Sequence, residues 1–245
     1  MGYGSPERTF ALVIPTLNEA GNIDRILTRI SQTLSSTHYD YEIIVVDDGS
    51  TDGTAAKVQD WSLRDTRVRL LTRANERGLA GAVLYGWRQT QAGLLGVIDA
   101  DLQHPPELLP ELLQRVESAD IAIASRYAQG DGTAGWNPLR LFISRASTVA
   151  AACLISRKKV RVTDPMSGFF IVNRSCIDGV TFQTTGFKLL LEILVRGRIR
   201  AVREVPYHFG LREAGKSKAG ASVAFHYLHL LSRLSRDVMW RSSAT

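Results

Sequence analysis

Apolar residues along this chain follow two alternating rhythms. Short apolar runs occupy residues 10–14, 43–46, 94–98 and 121–124, with a run broken only by Arg69 at 68–71, and each ends in a polar cluster. Between them apolar positions recur at spacings of three and four, as in Ile23, Ile26, Leu27, Ile30 and Leu34. Short bounded runs read as buried strands, and the longer period reads as one apolar helix face. The pattern predicts helices at 54–61, 79–91 and 107–116, with Asp52 placed to cap the first of these. Regular strand–helix alternation predicts an α/β fold, a mostly parallel mixed sheet covered by helices on both faces. Later in the chain, 169–172 and 202–205 read as strands, and 139–155 as a helix. Residues 221–238 read as a C-terminal amphipathic helix, with Val223, Tyr227, Leu228, Leu231, Leu234 and Val238 on one face. Residues 127–138, rich in Gly, Asp, Thr and Asn, read as a mobile loop.

Ligands in such sheets bind beyond the carboxyl ends of the strands. Four polar clusters fall there. Pro15-Thr16-Leu17-Asn18-Glu19 follows the first run, and Asp47-Asp48-Gly49-Ser50-Thr51-Asp52-Gly53-Thr54 the second. Arg77-Gly78 opens the helix after the third, and Asp99-Ala100-Asp101-Leu102-Gln103 follows the fourth. In extended backbone, side chains two apart share a side, so Asp99 and Asp101 are expected to converge on one cation. Oxygen ligands of this kind suit Mg²⁺ or Mn²⁺, which leave positions for substrate phosphates. Asp47 and Asp48 can accept hydrogen bonds from a base N–H or a ribose hydroxyl. A helix cap and turn would explain residues 48–54 alone, and a solvated turn a lone D-x-D. Four such clusters on one edge are harder to explain as caps.

The chain has 245 residues, 44% of them apolar, enough for one α/β domain with a large core. The expected organisation is a single domain, 1–245, with its catalytic core at about 8–215 followed by the 221–238 helix. A formal charge of +6 favours an anionic partner. The two cysteines, Cys153 and Cys176, lack metal-ligand spacing and read as free thiols in a reducing compartment. The polar start lacks the apolar core of a signal peptide. Uncharged stretches such as 146–156 fall far short of the roughly 20 residues that span a bilayer. A soluble or peripheral protein is therefore expected, or the cytosolic part of something longer. Nucleic-acid binding is not expected, because no aromatic interleaving or known module accompanies the basic residues.

Pro15–Glu19 (15–19), the run VVDDGSTDGT at 45–54, and DADLQ at 99–103 resemble the inverting family 2 of GT-A glycosyltransferases. The second half narrows the resemblance to dolichyl- and polyprenyl-phosphate mannosyltransferases. It rests on Ser125-Arg126-Tyr127, Asp164-Pro165-Met166-Ser167-Gly168-Phe169-Phe170, Gly186-Phe187-Lys188 with Glu192, Glu204-Val205-Pro206-Tyr207, and Arg212-Glu213-Ala214-Gly215-Lys216-Ser217-Lys218. It covers about residues 10–235.

The resemblance implies a GT-A, Rossmann-like fold and a nucleotide-sugar pocket built from Pro15, Asn18, Glu19, Asp47, Asp48, Asp99 and Lys218. It places the metal on Asp99, Asp101 and Gln103. Asp101, Arg126 and Arg212 are implied at the reaction centre, with Arg212 and Lys218 closing on the donor diphosphate. Arg140 and Ser144, one helical turn apart, match the acceptor-phosphate site. Ala219 stands where the family often has Leu, which weakens packing of that loop without touching the chemistry. The implied donor is GDP-mannose and the acceptor a polyprenyl phosphate, at the cytosolic face of a membrane. Attachment would come from this chain, from a missing C-terminal segment or from a membrane-anchoring partner subunit. A phosphate acceptor is already anionic, so no general base is expected. The leaving diphosphate is the charge to stabilise.

Alternatives remain at this level. The same fold could take UDP-glucose or another donor, a saccharide hydroxyl as acceptor, or bind sugar nucleotides without turnover. Gly210-Leu211-Arg212-Glu213-Ala214-Gly215-Lys216-Ser217 also matches the P-loop pattern, although only 28 residues follow Ser217. His104, His208, His226 and His229 lack zinc spacing and read as satisfied or exposed histidines. The basic groups Arg157-Lys158-Lys159-Arg161 and Arg196, Arg198, Arg200 and Arg203 read as solvated faces or as a surface against anionic lipid. Trp240 and Arg241 suit a head-group boundary.

Overall fold

The computed structural model describes residues 9–73, 78–128, 160–182 and 188–207. Its strands are β1 (Thr9–Thr16), β2 (Asp40–Asp47), β3 (Val68–Thr72), β4 (Leu94–Val97), β5 (Ile121–Ser125), β6 (Phe170–Asn173) and β7 (Val202–Pro206). The helices are α1 (Ile23–Ser35), α2 (Thr54–Arg64), α3 (Leu79–Arg88), α4 (Leu109–Val116) and α5 (Leu189–Arg196). The seven strands form one sheet in the order β3-β2-β1-β4-β6-β5-β7. All neighbours pair in parallel except β6, which is antiparallel to both β4 and β5. The predicted mixed, mostly parallel sheet is therefore present.

Strand alternation divides the core into two layers. Phe10, Leu12 and Ile14 of β1, Ile43 and Val45 of β2, and Ile171 of β6 face α1, α2 and α4. Ala11, Val13, Ile44, Val46, Phe170 and Val172 face α3 and α5. Both sheet faces are covered, which is why the strands read as continuous apolar runs. In α1 the five apolar positions at helical spacing are all fully buried. At about 1.5–3 kcal/mol each, they give roughly 8–15 kcal/mol of gross burial before chain entropy is subtracted.

Sequence reversal sets the position of the site. From β1 the chain winds outward to β2 and β3, then returns to lay β4 on the other side of β1. The exits of β1 and β4 thus flank the crevice where doubly wound sheets bind ligands. β6 runs the other way, so the loop entering it, 164–169, meets the exits of β4 and β5 at the same rim. Gly96 keeps β4 close to β1. A Cβ there would lie 2.7 Å from the Phe10 ring.

Predicted elements differ from the structure at several ends. The 79–91 helix stops at Arg88. The 107–116 helix is a 3-10 turn, Pro106–Leu108, leading into α4, because Pro110 sits in its first turn. Asp52 does accept the Thr54 amide at 3.0 Å, with Gly53 at the cap position itself. The helices expected at 139–155 and 221–238, and the loop beyond residue 128, lie outside the described residues.

Candidate active site

The β1 and β2 exits are knitted into one rim. Thr16 Oγ1 donates to Asp47 Oδ1 at 3.1 Å, and the Ser50 amide donates to Asp47 Oδ2 at 2.8 Å. Asn18 stands in the left-handed region at φ 59°. Its amide donates to Ser50 Oγ at 2.8 Å and its Oδ1 accepts the Thr51 amide at 2.9 Å. Glu19 donates its amide to Thr54 Oγ1 and accepts from Asn22 Nδ2, both at 2.9 Å. Pro15 lies beside Val46 in the β1–β2 register. The structure therefore brings Pro15, Asn18, Glu19, Asp47 and Asp48 together.

Asp47 and Asp48 have internal work beyond the role expected of them. Arg73 donates Nε to Asp48 Oδ1 and a terminal nitrogen to Oδ2, both at 2.7 Å, and the Gly78 amide adds a third bond at 2.9 Å. Both partners of this ion pair are buried. Asp48 thus ties Arg73, just past β3, to Gly78, at the start of α3, and any ligand contact uses lone pairs left over. Arg73 follows β3 directly, and nothing in the local sequence pattern marks it as the partner of Asp48.

At the β4 exit the expected geometry is corrected. β4 ends at Val97, and Ala100 and Asp101 form a turn rather than extended backbone. Leu102, buried, stands at φ 62°, a left-handed conformation that bulky side chains seldom adopt. The Gln103 amide donates to Asp101 Oδ1 at 3.1 Å and helps hold the turn. Strained backbone of this kind persists where surrounding structure enforces it, often at functional sites.

Asp99 is the focus of this turn. Its Oδ1 is buried and accepts no hydrogen bond, while Oδ2 lies 3.4 Å from His104 Nε2. Leaving a buried acceptor unsatisfied costs about 1–3 kcal/mol, and more when charged. A hard cation would satisfy it. Asp99 and Asp101 offer charged oxygens and Gln103 a neutral one, a set that fits Mg²⁺ or Mn²⁺. Among the described residues no three His, Cys, Asp or Glu side chains are grouped so as to hold a metal ion.

The second half of the rim centres on Arg126. It donates Nε to Asp164 Oδ2 and a terminal nitrogen to Oδ1, both at 2.7 Å, and its amide to Oδ2 at 3.1 Å. Asp164 is fully buried. Burial alone would lower the pKa of the Arg126 guanidinium, but the paired bonds and charge of Asp164 more than offset this and raise it. Glu204 of β7 holds the Asp164 loop, accepting the Thr163 amide at 2.9 Å and the Asp164 amide at 3.0 Å. Half-buried Lys188 completes the cluster. Burial and the charge of Arg126 push its pKa down to about 8, against the opposing pull of Asp164 and Asp99. Asp164, Lys188, Glu204 and Tyr207 lie within the motifs that carry the family resemblance, and their contacts join distant positions of the chain.

Gly168 lies against Asp99. A Cβ there would sit 2.9 Å from Asp99 Oδ2, and a flexible carboxylate can move where backbone cannot. Gly168→Ala is therefore expected to weaken Mn²⁺ binding by about 10–100-fold, the usual effect of disturbing a ligand's support. Its unfolding midpoint should stay close to that of the unmodified chain. Titration calorimetry and a thermal melt on the same sample check both.

Arg140, Ser144, Arg212, Lys218 and the P-loop-like segment 210–217 lie outside the described residues. The basic groups separate by role. Arg196 pairs with buried Glu192 at 2.9 Å, and Arg198 donates to the Asp178 carbonyl at 2.9 Å, so neither is a purely solvated charge. Arg161, Arg200 and Arg203 are exposed. Cys176 is a buried thiol whose pKa burial and neighbouring Asp120 raise to about 11. No described helix is long and apolar enough to cross a membrane.

A doubly wound sheet with acidic and basic side chains at its switch-point rim is an α/β architecture of GT-A type. Solved structures of glucosyl-3-phosphoglycerate synthase from Mycobacterium tuberculosis share this fold. One, with Mn²⁺, UDP-glucose and phosphoglyceric acid, superposes with a TM-score of 0.68 at 23% identity, covering 93% of this chain and 80% of that one. Another, with Mg²⁺ and UDP, gives 0.67 at 23% identity, with the same two coverages. The chain belongs to glycosyl transferase family 2, whose pattern matches residues 11–195. It is 39% identical over 228 residues to the dolichol-phosphate mannosyltransferase of Pyrococcus furiosus, and covers 92% of this chain and 63% of that protein. The Saccharomyces cerevisiae and Mycosarcoma maydis proteins of the same name are each 34% identical over 92% of this chain, which spans 86% and 79% of their lengths. The chain thus spans less than two thirds of the archaeal relative and most of the fungal ones. Family membership replaces the P-loop nucleotidase alternative.

Proposed function

We propose that this chain transfers mannose from GDP-mannose to a dolichol-type polyprenyl phosphate, inverting the anomeric carbon. The observation that carries this reading is 34–39% identity, across 92% of the chain, to dolichol-phosphate mannosyltransferases of one archaeon and two fungi. The solved synthase structures, at 23% identity, speak to fold alone and carry no argument for a UDP-glucose donor.

The chemistry follows from charge. The acceptor monophosphate is already a nucleophilic anion, so no side chain need remove a proton. Its oxygen attacks the anomeric carbon as the bond to the donor diphosphate breaks on the opposite side. Asp99, Asp101 and Gln103 would hold Mg²⁺ or Mn²⁺, which when bound would supply charge neutralisation for the departing diphosphate. Arg126, held rigid by Asp164, presents fixed positive charge at the β5 exit. Pro15, Asn18, Glu19, Asp47 and Asp48 shape the nucleotide side. Arg212 and Lys218 are assigned to the diphosphate, and Arg140 and Ser144 to the acceptor phosphate. A lipid acceptor places the chain at the cytosolic membrane face, bound by its own surface or through an anchoring subunit.

The test offers ¹⁴C-labelled GDP-mannose, UDP-glucose and other sugar nucleotides with a short polyprenyl phosphate and Mg²⁺ or Mn²⁺. Label should enter the organic phase from GDP-mannose only, and chelation by EDTA should stop it. Organic-phase label from UDP-glucose alone would overturn the donor. Label transferred only to a free sugar would overturn the acceptor.

A further inference from the structure

His104 follows the metal-binding segment by one residue, yet it is buried rather than facing a ligand. Its Nδ1 lies 2.8 Å from the hydroxyl of Tyr207, the residue directly after β7. Its Nε2 lies 3.4 Å from Asp99 Oδ2, longer than an ideal N–H···O bond but aimed at a carboxylate that can only accept. The proton of a neutral ring therefore belongs on Nε2, which leaves Nδ1 to accept from the Tyr207 O–H. The ring is clamped from two sides. Phe169 meets it edge-on with centroids 5.7 Å apart, and Tyr207 lies tilted against it at 5.6 Å. Tyr207 is in turn pinned by its amide, which donates to the Ser125 carbonyl at 3.1 Å. Each element of the chain is thus fixed by one that does not belong to the metal-binding loop.

We propose that Tyr207 and His104 form a positioning relay that sets the Asp99 carboxylate for cation binding. The relay occupies Oδ2 from one side while Gly168 limits it on another, and the buried Oδ1 is left without a hydrogen-bond partner. Burial raises the pKa of the Tyr207 hydroxyl, which keeps it a donor. Outer partners of metal ligands act in this way, fixing tautomer and orientation. Any buried imidazole needs partners for both nitrogens, and what distinguishes this one is that one of its partners is the Asp99 carboxylate. The inference rests on the assignment of the cation to Asp99.

The test measures Mn²⁺ binding by the loss of the free-ion electron paramagnetic resonance signal, with and without GDP, beside a thermal melt. Tyr207→Phe removes one oxygen and keeps the ring. It should weaken Mn²⁺ by about 10–100-fold. In turnover it should raise the Mn²⁺ concentration needed for half-maximal rate, with kcat at saturating Mn²⁺ within about threefold of the unmodified chain. His104→Gln, which retains an N–H for Asp99, should bind Mn²⁺ more tightly than His104→Leu, and it carries the same test if Tyr207→Phe does not fold. A folded Tyr207→Phe with unchanged Mn²⁺ affinity overturns the relay, as does equal affinity in the Gln and Leu variants. Asp99→Asn separates the two levels. If it keeps Mn²⁺, the cation assignment falls and the relay with it. If it loses Mn²⁺ while Tyr207→Phe keeps it, only the relay falls.

Discussion

Asp101→Asn should lower kcat/KM by about a thousandfold or more, the scale seen when one group aimed at developing charge is removed from an enclosed site. The substitution keeps the shape of the side chain. An asparagine Oδ1 still accepts the Gln103 amide that holds the turn at 3.1 Å, so the left-handed Leu102 has no reason to relax. What disappears is one negative charge on a buried group. The loss should therefore appear in turnover and Mn²⁺ binding, with little change in unfolding midpoint. Transfer within tenfold of the unmodified chain would show that Asp101 is no ligand.

Asp164→Asn should have its largest effect on stability. Asp164 is fully buried and takes three hydrogen bonds from Arg126, so its neutralisation strands a guanidinium beside the ammonium of Lys188. Breaking one partner of a buried pair costs about 3–5 kcal/mol. For a chain of this size that is a fall of about 6–20 °C in melting temperature. Removing both charges, as Arg126→Met with Asp164→Leu, should recover most of the loss, because packed apolar groups replace a desolvated pair at little cost. Activity should not return. A melt and a transfer assay on the unmodified chain, the single variant and the double variant separate the structural role of the pair from the electrostatic role of Arg126. A double variant as unstable as the single one would count against this account.

Much of the first half was legible from residue order. Buried runs and helical spacing located β1 to β5 and α1 to α4 because both sheet faces are covered, and polar clusters at strand ends marked the rim. Strand direction was not legible. The Phe170–Asn173 run looks the same whichever way it enters a sheet, and only its pairing with β4 and β5 reveals reversal. α5 gave no period to read, since Leu189 to Val195 are all buried and no polar face interrupts them. The site residues that went unassigned owe their roles to distant partners. Asp164 meets Arg126 across 38 positions and His104 meets Tyr207 across 103, separations that no local pattern encodes. The D-x-D pair was found for an incomplete reason. Alternation along a strand suggested convergence, whereas a tight turn with a strained leucine builds the actual rim.

The reversed strand β6 also makes chain length, not only residue identity, a determinant here. Phe169 and Ile171 belong to one core layer, Phe170 and Val172 to the other. Losing one residue between Asp164 and Phe170 would put that strand out of phase and exchange the layers. The same deletion would draw Gly168 away from Asp99 and slacken the tether on Arg126. Elsewhere in the sheet an altered loop disturbs one departure point. Here a single missing peptide unit would reach the interior and the reaction centre together.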